Sequence, residues 1–242
     1  MKRGGGMILY YIRHGDPTYH PDELTPLGHR QAEAVAKRVT MHGVDRIFAS
    51  TSNRAMQTAQ PTCEMLKKEM VTLDFANEGH AWNALSIKND EGSQVWIDSI
   101  PKYRELFSKR EIIELGQRWY EHPELKGFAF GNKLQWIYDE IDRWLLSLGF
   151  EHKDGRFRIV EPNGERIALF AHAGFGGVFL SYLVDIPYPK FASQFDMCHT
   201  GMTVIEFQQI GEYAIPRILT YSSDSHIYRE GLPTRYNNRL RF

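Results

Sequence analysis

Residues 8–16 read ILYYIRHGD. Five apolar or aromatic residues run without a polar break into Arg13, His14 and Gly15. So continuous a run predicts a strand over residues 7–12 that is buried on both faces. Its end brings a permanent cation and a group that titrates near neutrality to one point. Gly15 is expected to let the backbone approach a ligand there.

The same ending recurs twice. RIFAS, residues 46–50, runs into Thr51, Ser52, Asn53 and Arg54, and RIALFA, residues 166–171, runs into His172, Ala173 and Gly174. Each run then enters a helical pattern. In a parallel α/β sheet such ends share one edge, where ligands bind. Arg13, His14, Arg54 and His172 are therefore expected to meet there, beside helix N-termini whose free N–H groups favour anions. The ligand this chemistry suits is a phosphate group. The guanidinium fork matches phosphate oxygens, and histidine serves as nucleophile or as charged donor. The Gly-x-x-x-x-Gly-Lys phosphate loop does not occur in the chain, and Gly174–Gly177 stands in the wrong place for a dinucleotide fingerprint.

The intervening sequence supplies the scaffold. Thr25 is an N-cap with Pro26 at the first helical position, and Gly43 is the stop signal of that helix. Ser52 or Asn53 caps a second helix, in which Pro61 predicts a kink or restart. VTLDF, residues 71–75, is a third strand candidate. All five tryptophans (Trp82, Trp96, Trp119, Trp136 and Trp144) fall between residues 82 and 150. There Leu134, Ile137, Ile141, Trp144, Leu145 and Leu148 keep a helical period, with Asn132 and Gln135 spaced like a capping box. That region reads as a helical cap inserted into the core domain, its tryptophans mostly core. Strands resume at 157–160 and 166–171, joined through Pro162–Asn163–Gly164. TVIEF (203–207) and AIPRILTYS (214–222) close the sheet, Pro216 marking an edge position. The expectation is a three-layer α/β/α sandwich with a mostly parallel sheet, formed by one domain over residues 1–242.

Composition bounds the function. Twenty-nine basic and thirty acidic residues in 242 leave a formal net charge of −1, so no global field draws the chain to nucleic acid or to an anionic membrane. No apolar stretch approaches the ~20 residues of a membrane span. The start, MKRGGGMILYY, lacks the pattern of a signal peptide, and Gly4–Gly6 reads as a flexible tail. Two distant cysteines, Cys63 and Cys198, fit neither a disulfide framework nor a metal site, so the expected location is a reducing cytoplasm. The basic stretch with Arg229, Arg235, Arg239 and Arg241 reads as solvated or as dimer packing, which leaves a homodimer open.

Several segments together resemble the histidine phosphatase superfamily, which includes phosphoglycerate mutases and many small-molecule phosphatases. They are YIRHGD (11–16), LTPLGHRQAEAVA (24–36), FASTSNRAMQTAQPT (48–62), FAHAGFGG (170–177) and SSDSHI (222–227), in the family's order. The resemblance implies that His14 is the nucleophile and becomes a phosphohistidine. It implies that Arg13, Arg54, His172 and the backbone at Ala173 hold the phosphoryl group. ANEGHAW (76–82) is similar to the family's acid segment, which makes Glu78 the proton donor, with Asp16, Asp22 and Glu23 as rivals. Pro17 and His20 depart from the family pattern, and Ala173 replaces a glycine that is common there. His199 is read either as pocket lining or as packing. The implied function is a phosphomonoesterase for a small phosphorylated substrate, without metal or cofactor and without nucleic-acid or membrane partners. A phosphoglycerate-type mutase is the second reading, and a non-catalytic phospholigand-binding protein the third. The aromatic insert is expected to cover the pocket.

Overall fold

The computed structural model describes residues 6–237. The tail residues Gly4, Gly5, Arg239 and Arg241 lie outside that range; Arg229 and Arg235 are exposed.

The opening run forms β1 (Ile8–Arg13) near the middle of the main sheet. A short hairpin, β2 (Pro17–Tyr19) with β3 (Asp22–Leu24), leads into α1 (Pro26–His42). The helix begins as read: Thr25 Oγ1 accepts the Gly28 N–H at 3.0 Å, and Gly43 closes the helix at φ 73°. β4 (Arg46–Ser50), α2 (Asn53–Leu66) and β5 (Met70–Leu73) follow. α2 runs through Pro61 as one helix.

The insert opens with α3 (Glu78–Leu85) and then departs from a purely helical reading. β6 (Ser86–Lys88) and β7 (Gln94–Trp96) form a small antiparallel hairpin before α4 (Pro101–Ser108) and α5 (Arg110–Glu114). α6 (Phe130–Ser147) starts at Phe130 behind Ala129, whose φ is +55°. The Asn132/Gln135 capping box is therefore absent, and Gln135 instead donates to Asp139 at 2.8 Å. The apolar period of α6 is as read: Leu134, Ile137, Ile141, Trp144 and Leu145 are all buried.

β8 (Phe150–Lys153) and β9 (Arg156–Ile159) make a hairpin about Asp154 and Gly155, both at positive φ. The segment with Pro162–Asn163–Gly164 then crosses the sheet rather than turning a hairpin, because β10 (Arg166–Ala171) lies four strands away from β9. α7 (Ala173–Leu183), α8 (Tyr188–Gln194), β11 (Met202–Ile210), β12 (Tyr213–Ser223) and α9 (Ser225–Arg229) complete the chain.

The eight-stranded order is β5-β4-β10-β1-β11-β12-β9-β8. β5, β4, β10 and β1 are mutually parallel, and the pairings from β1 to β8 are antiparallel. The site-bearing half is thus parallel as expected, and the sheet as a whole is mixed. Pro216 falls where β12 has no partner besides β11, since β9 pairs only with Tyr213 and Ala214. A residue without an N–H is tolerated at such a local edge.

Helices cover both faces. Leu9 and Tyr11 of β1 join a core with α6, α7 and insert residues, including the fully buried Trp119. Tyr10 and Ile12 face α1 and α2 through Val35, Val39 and Ala59. Burial on both faces is why ILYYI shows no alternation.

Candidate active site

β1, β10 and β4 end side by side, so Arg13, Ala171 and Ser50 are the last strand residues on one edge. The loop after β1 is fixed by backbone bonds on both sides. His14 N–H donates to Ala171 C=O at 2.9 Å, and Thr200 N–H donates to His14 C=O at 3.1 Å. Gly15 has a different reason from the one expected. A Cβ there would lie 2.7 Å from the Gly28 carbonyl oxygen, and one on Gly28 would lie 2.2 Å from that of Asp16. Its N–H donates to Thr58 Oγ1 at 3.0 Å. Gly15 lets the loop cross α1; it does not open space for a ligand.

His14 is buried, and its Nδ1 donates to the Gly15 carbonyl at 2.7 Å. That bond fixes the tautomer and leaves Nε2 with a lone pair. Burial first, then His172, Arg13 and Arg54, hold its pKa well below 6.5. A neutral imidazole is the form able to attack phosphorus.

His172 caps α7 and is fully buried, with its ring centroid 5.2 Å from that of His14. Arg54 donates to its Nδ1 at 3.0 Å, so the proton sits on Nε2, 2.8 Å from Ser50 Oγ and 3.2 Å from Ser52 Oγ. Burial lowers its pKa to about 4 against the opposing pull of Glu78. Without an anion, His172 is neutral rather than charged. Ser52 holds the N-cap position of α2, yet its hydroxyl serves His172 and makes no capping bond.

Arg54, in the first turn of α2, bridges three groups. One nitrogen donates to Asp22 Oδ1 at 2.7 Å; the other reaches Glu78 Oε2 at 3.2 Å as well as His172. Asp22 also accepts the Asn53 N–H at 2.8 Å, placing an acid at the positive end of α2. Glu78 begins α3, and its Oε1 accepts the Gly174 N–H of α7 at 2.9 Å. Burial works to raise the Glu78 pKa, but His172, the Gly174 N–H, Arg54 and Arg13 outweigh it and hold the group below 4.5. It is a carboxylate in the free protein.

Arg13 lies almost fully buried and donates to the Met197 carbonyl and to Asn237 Oδ1, while its Nε has no partner. His199 stands 5.7 Å from the His14 ring and 3.3 Å from Asp16, and it also bonds Asn237 at 3.2 Å. The site therefore brings together the six residues read from the sequence: Arg13, His14, Arg54, Glu78, His172 and Ala173. Of the rival acids, Asp22 is held by Arg54, Asp16 accepts from Thr25 at 2.7 Å, and Glu23 is exposed. Sequence reasoning missed Ser50 and Asn237. Ser50 ends its strand in register with the other site residues, which was a usable signal; Asn237 carried none.

Ring nitrogens of His14 and His172 and a Glu78 oxygen lie within 4.8 Å of one another, close enough to hold a divalent ion. Arg54 bonds two of these three groups, so the local field opposes a second cation and favours an anion. A cavity of about 760 Å³ opens onto Arg54, Glu78, Ala173 and Gly174. The insert lines it with Trp82, Trp96, Asp98, Ser99 and Arg104. Of the remaining tryptophans, Trp119 and Trp144 are core and Trp136 is exposed beside His80. Among the described residues, no helix is long and apolar enough to cross a membrane, and Cys63 and Cys198 are free and buried.

Residues 9–98 match the model of the histidine phosphatase superfamily, branch 1. The fold is similar to that of the phosphoserine phosphatase of Entamoeba histolytica, solved with 3-phosphoglyceric acid, at a TM-score of 0.58 and 19% identity over 91% of this chain and 99% of that one. It is similar to Bacillus stearothermophilus YhfR at a TM-score of 0.59 and 18% identity, over 91% and 99% of the two chains. A mycobacterial glucosyl-3-phosphoglycerate phosphatase gives a TM-score of 0.55 at 17% identity, over 90% and 99%. No curated protein matches by sequence. Residues 9–98 are thus similar in sequence to the histidine phosphatase superfamily, and the fold is similar to that of these solved proteins over about nine tenths of the chain.

Proposed function

We propose that the protein is a phosphomonoesterase that acts on a small phosphorylated molecule through a phosphohistidine on His14. The observation that carries this is the state of His14. Its Nδ1 proton is held by Gly15, its ring is kept neutral by burial, and two arginines and His172 surround it. In a loose phosphoryl transition state, charge spreads over three oxygens, so fixed donors supply most of the stabilisation.

In the first step His14 Nε2 forms the N–P bond as the P–O bond to the alcohol breaks. Glu78, protonated, gives its proton to the departing oxygen. Glu78 begins as a carboxylate, so that proton must arrive with the substrate. A phosphomonoester with a second pKa of ≈ 6 carries one as its monoanion, and the incoming negative charge raises the pKa of Glu78. In the second step Glu78 takes a proton from water, the oxygen of which attacks phosphorus. The N–P bond breaks and His14 returns to its starting form.

The test is turnover of p-nitrophenyl phosphate in excess EDTA, with acid quench to trap an acid-labile phosphoprotein that His14→Ala cannot form. Conversion of 3- to 2-phosphoglycerate stimulated by 2,3-bisphosphoglycerate, in place of release of phosphate, would transfer the reading to a mutase.

A further inference from the structure

The cavity is far larger than a phosphate, and the part of its wall next to Glu78 has a definite shape. At about 760 Å³ it falls in the range of sites that enclose a whole small molecule. On one side the first turns of α7 present Ala173, Gly174 and Gly177, which carry a methyl group or no side chain. A Cβ on Gly174 would lie 2.5 Å from Trp96 Cη2 and 2.9 Å from Glu78 Oε1. The bare α-carbon therefore lets the Trp96 ring and the Glu78 carboxylate meet on the same spot of the helix. Trp82 packs edge to face on Trp96 at 5.0 Å. Phe191, Phe195 and Tyr221 form a second aromatic group on the lining, with ring centroids 4.8 to 5.8 Å apart.

We propose that Trp96 selects the alcohol half of the substrate and that this half carries an aromatic ring, so that the substrate class is the phosphomonoester of an aromatic-bearing alcohol. The proposal rests on the phosphomonoesterase reading, under which Glu78 protonates the leaving oxygen, and adds to it what that oxygen carries. A group bonded to the oxygen that Glu78 serves starts out beside Trp96. A flat ring extending from there has bare helix on one side and aromatic side chains around it, which offer the offset and edge-to-face contacts that rings prefer. Two alternatives fit this wall less well. A polyol would exchange water for ring surfaces, because the nearby hydroxyl donors are already used: Ser99 Oγ donates to the Trp96 carbonyl at 2.6 Å and Ser193 Oγ to the Lys190 carbonyl at 3.3 Å. Asn237 is likewise held by Arg13 and His199. Among the described residues, an anionic half would find the exposed Arg104 as the one Arg or Lys of the lining besides Arg54. Arg54 is already engaged by Asp22, Glu78 and His172.

The experiment compares kcat/KM for 3-phenylpropyl phosphate with that for propyl phosphate, whose leaving alcohol has nearly the same acidity, and for glycerol 3-phosphate, 3-phosphoglycerate and phosphocholine. The phenyl ester is expected to lead each of them by about tenfold or more, equivalent to about 1.4 kcal/mol. In Trp96→Ala its lead over propyl phosphate should fall to within about threefold, mostly through KM, while Trp96→Phe, which keeps a ring, should retain the larger part of it. Phe195 is exposed, so Phe195→Ala leaves the buried core intact, and it should reduce the lead by about twofold or more. Any of the other four esters within about threefold of the phenyl ester in the native protein would overturn the proposal. So would a lead that Trp96→Ala leaves unchanged or, where that variant does not fold, one that Phe195→Ala leaves unchanged. Binding separates this result from the phosphatase reading. If p-nitrophenyl phosphate is not turned over, calorimetric Kd values for 3-phenylpropylphosphonate and propylphosphonate still report the ring preference, and equal values would refute it.

Discussion

Two histidines end neighbouring parallel strands, both buried and both neutral in the free protein, yet their surroundings differ in kind. His14 bonds a backbone carbonyl one residue away and keeps its other nitrogen for chemistry. His172 is held on both nitrogens by side chains from β4, its following loop and α2. One ring is aimed and otherwise left alone; the other is a relay between Ser50, Arg54 and Glu78. Under the proposed function, a local bond to the main chain suits a nucleophile, and a web of distant side chains suits a receptor for the group transferred.

The largest test of that contrast is His14→Ala, which should lower turnover by ~10⁴-fold or more, since it removes the atom that forms the covalent bond. Melting should stay cooperative by circular dichroism. A tenth of native activity remaining would sink the covalent route. Glu78→Gln comes next. It should cut turnover of an alkyl phosphate by ~10²–10⁴-fold and affect p-nitrophenyl phosphate much less, because p-nitrophenolate departs without a proton. Equal losses on both esters would move the acid role elsewhere, Asp16 being the first residue to try. Arg54→Ala should cost about 10²–10³-fold, the scale of one lost oxyanion donor. It should also raise the pKa of Glu78, seen as a shift in the pH profile.

The shared neutrality of the rings gives a fourth test. His172, His199 and His226 are each lowered to about 4, and His14 is lowered well below 6.5, with burial as the main cause. Between those values and 6.5 the unfolded chain binds more protons than the folded one. Stability should therefore be full above about pH 6.5 and fall as the pH drops towards 4, by roughly 1.4 kcal/mol per pH unit for each histidine. Urea midpoints at pH 7.5, 6 and 5 measure this; His172→Asn should flatten the slope, and an unchanged slope would mean that the ring is not buried neutral. The smallest effect is expected for Ser50→Ala, about fivefold in kcat, the worth of one ordinary hydrogen bond at about 1 kcal/mol. His14 should still phosphorylate in that variant.

The parallel half of the sheet was legible because each of its residues announces itself locally. Burial on two faces makes an unbroken apolar run, and Thr25, Pro26 and Gly43 mark both ends of α1. The four cationic and imidazole groups follow from where those runs stop. What escaped is what depends on distant partners. The β8–β9 hairpin is short and half exposed, so its residues keep no clean alternation, and only Asp154–Gly155 hints at the turn. Gly15 carries a backbone crossing with Gly28, thirteen positions on, that no local pattern encodes. The low pKa of His172 in the free protein escaped for the same reason: it follows from burial by distant partners, which no local pattern encodes.

Arg13 and Asn237 stand 224 positions apart in sequence, yet the two are bonded; the main chain at Arg13 and His14 is held by Ala171, Thr200 and Gly201, and the Arg13 side chain by the Met197 carbonyl. Synthesis runs from the N-terminus, so the His14 imidazole leaves the ribosome long before the groups that fix it. A nascent chain that ends before Ala171 carries His14 but none of the β10 end, the α7 N-terminus or the groups that hold Arg13. The surroundings of His14 are therefore assembled only once residues 171–201 and Asn237 have joined β1.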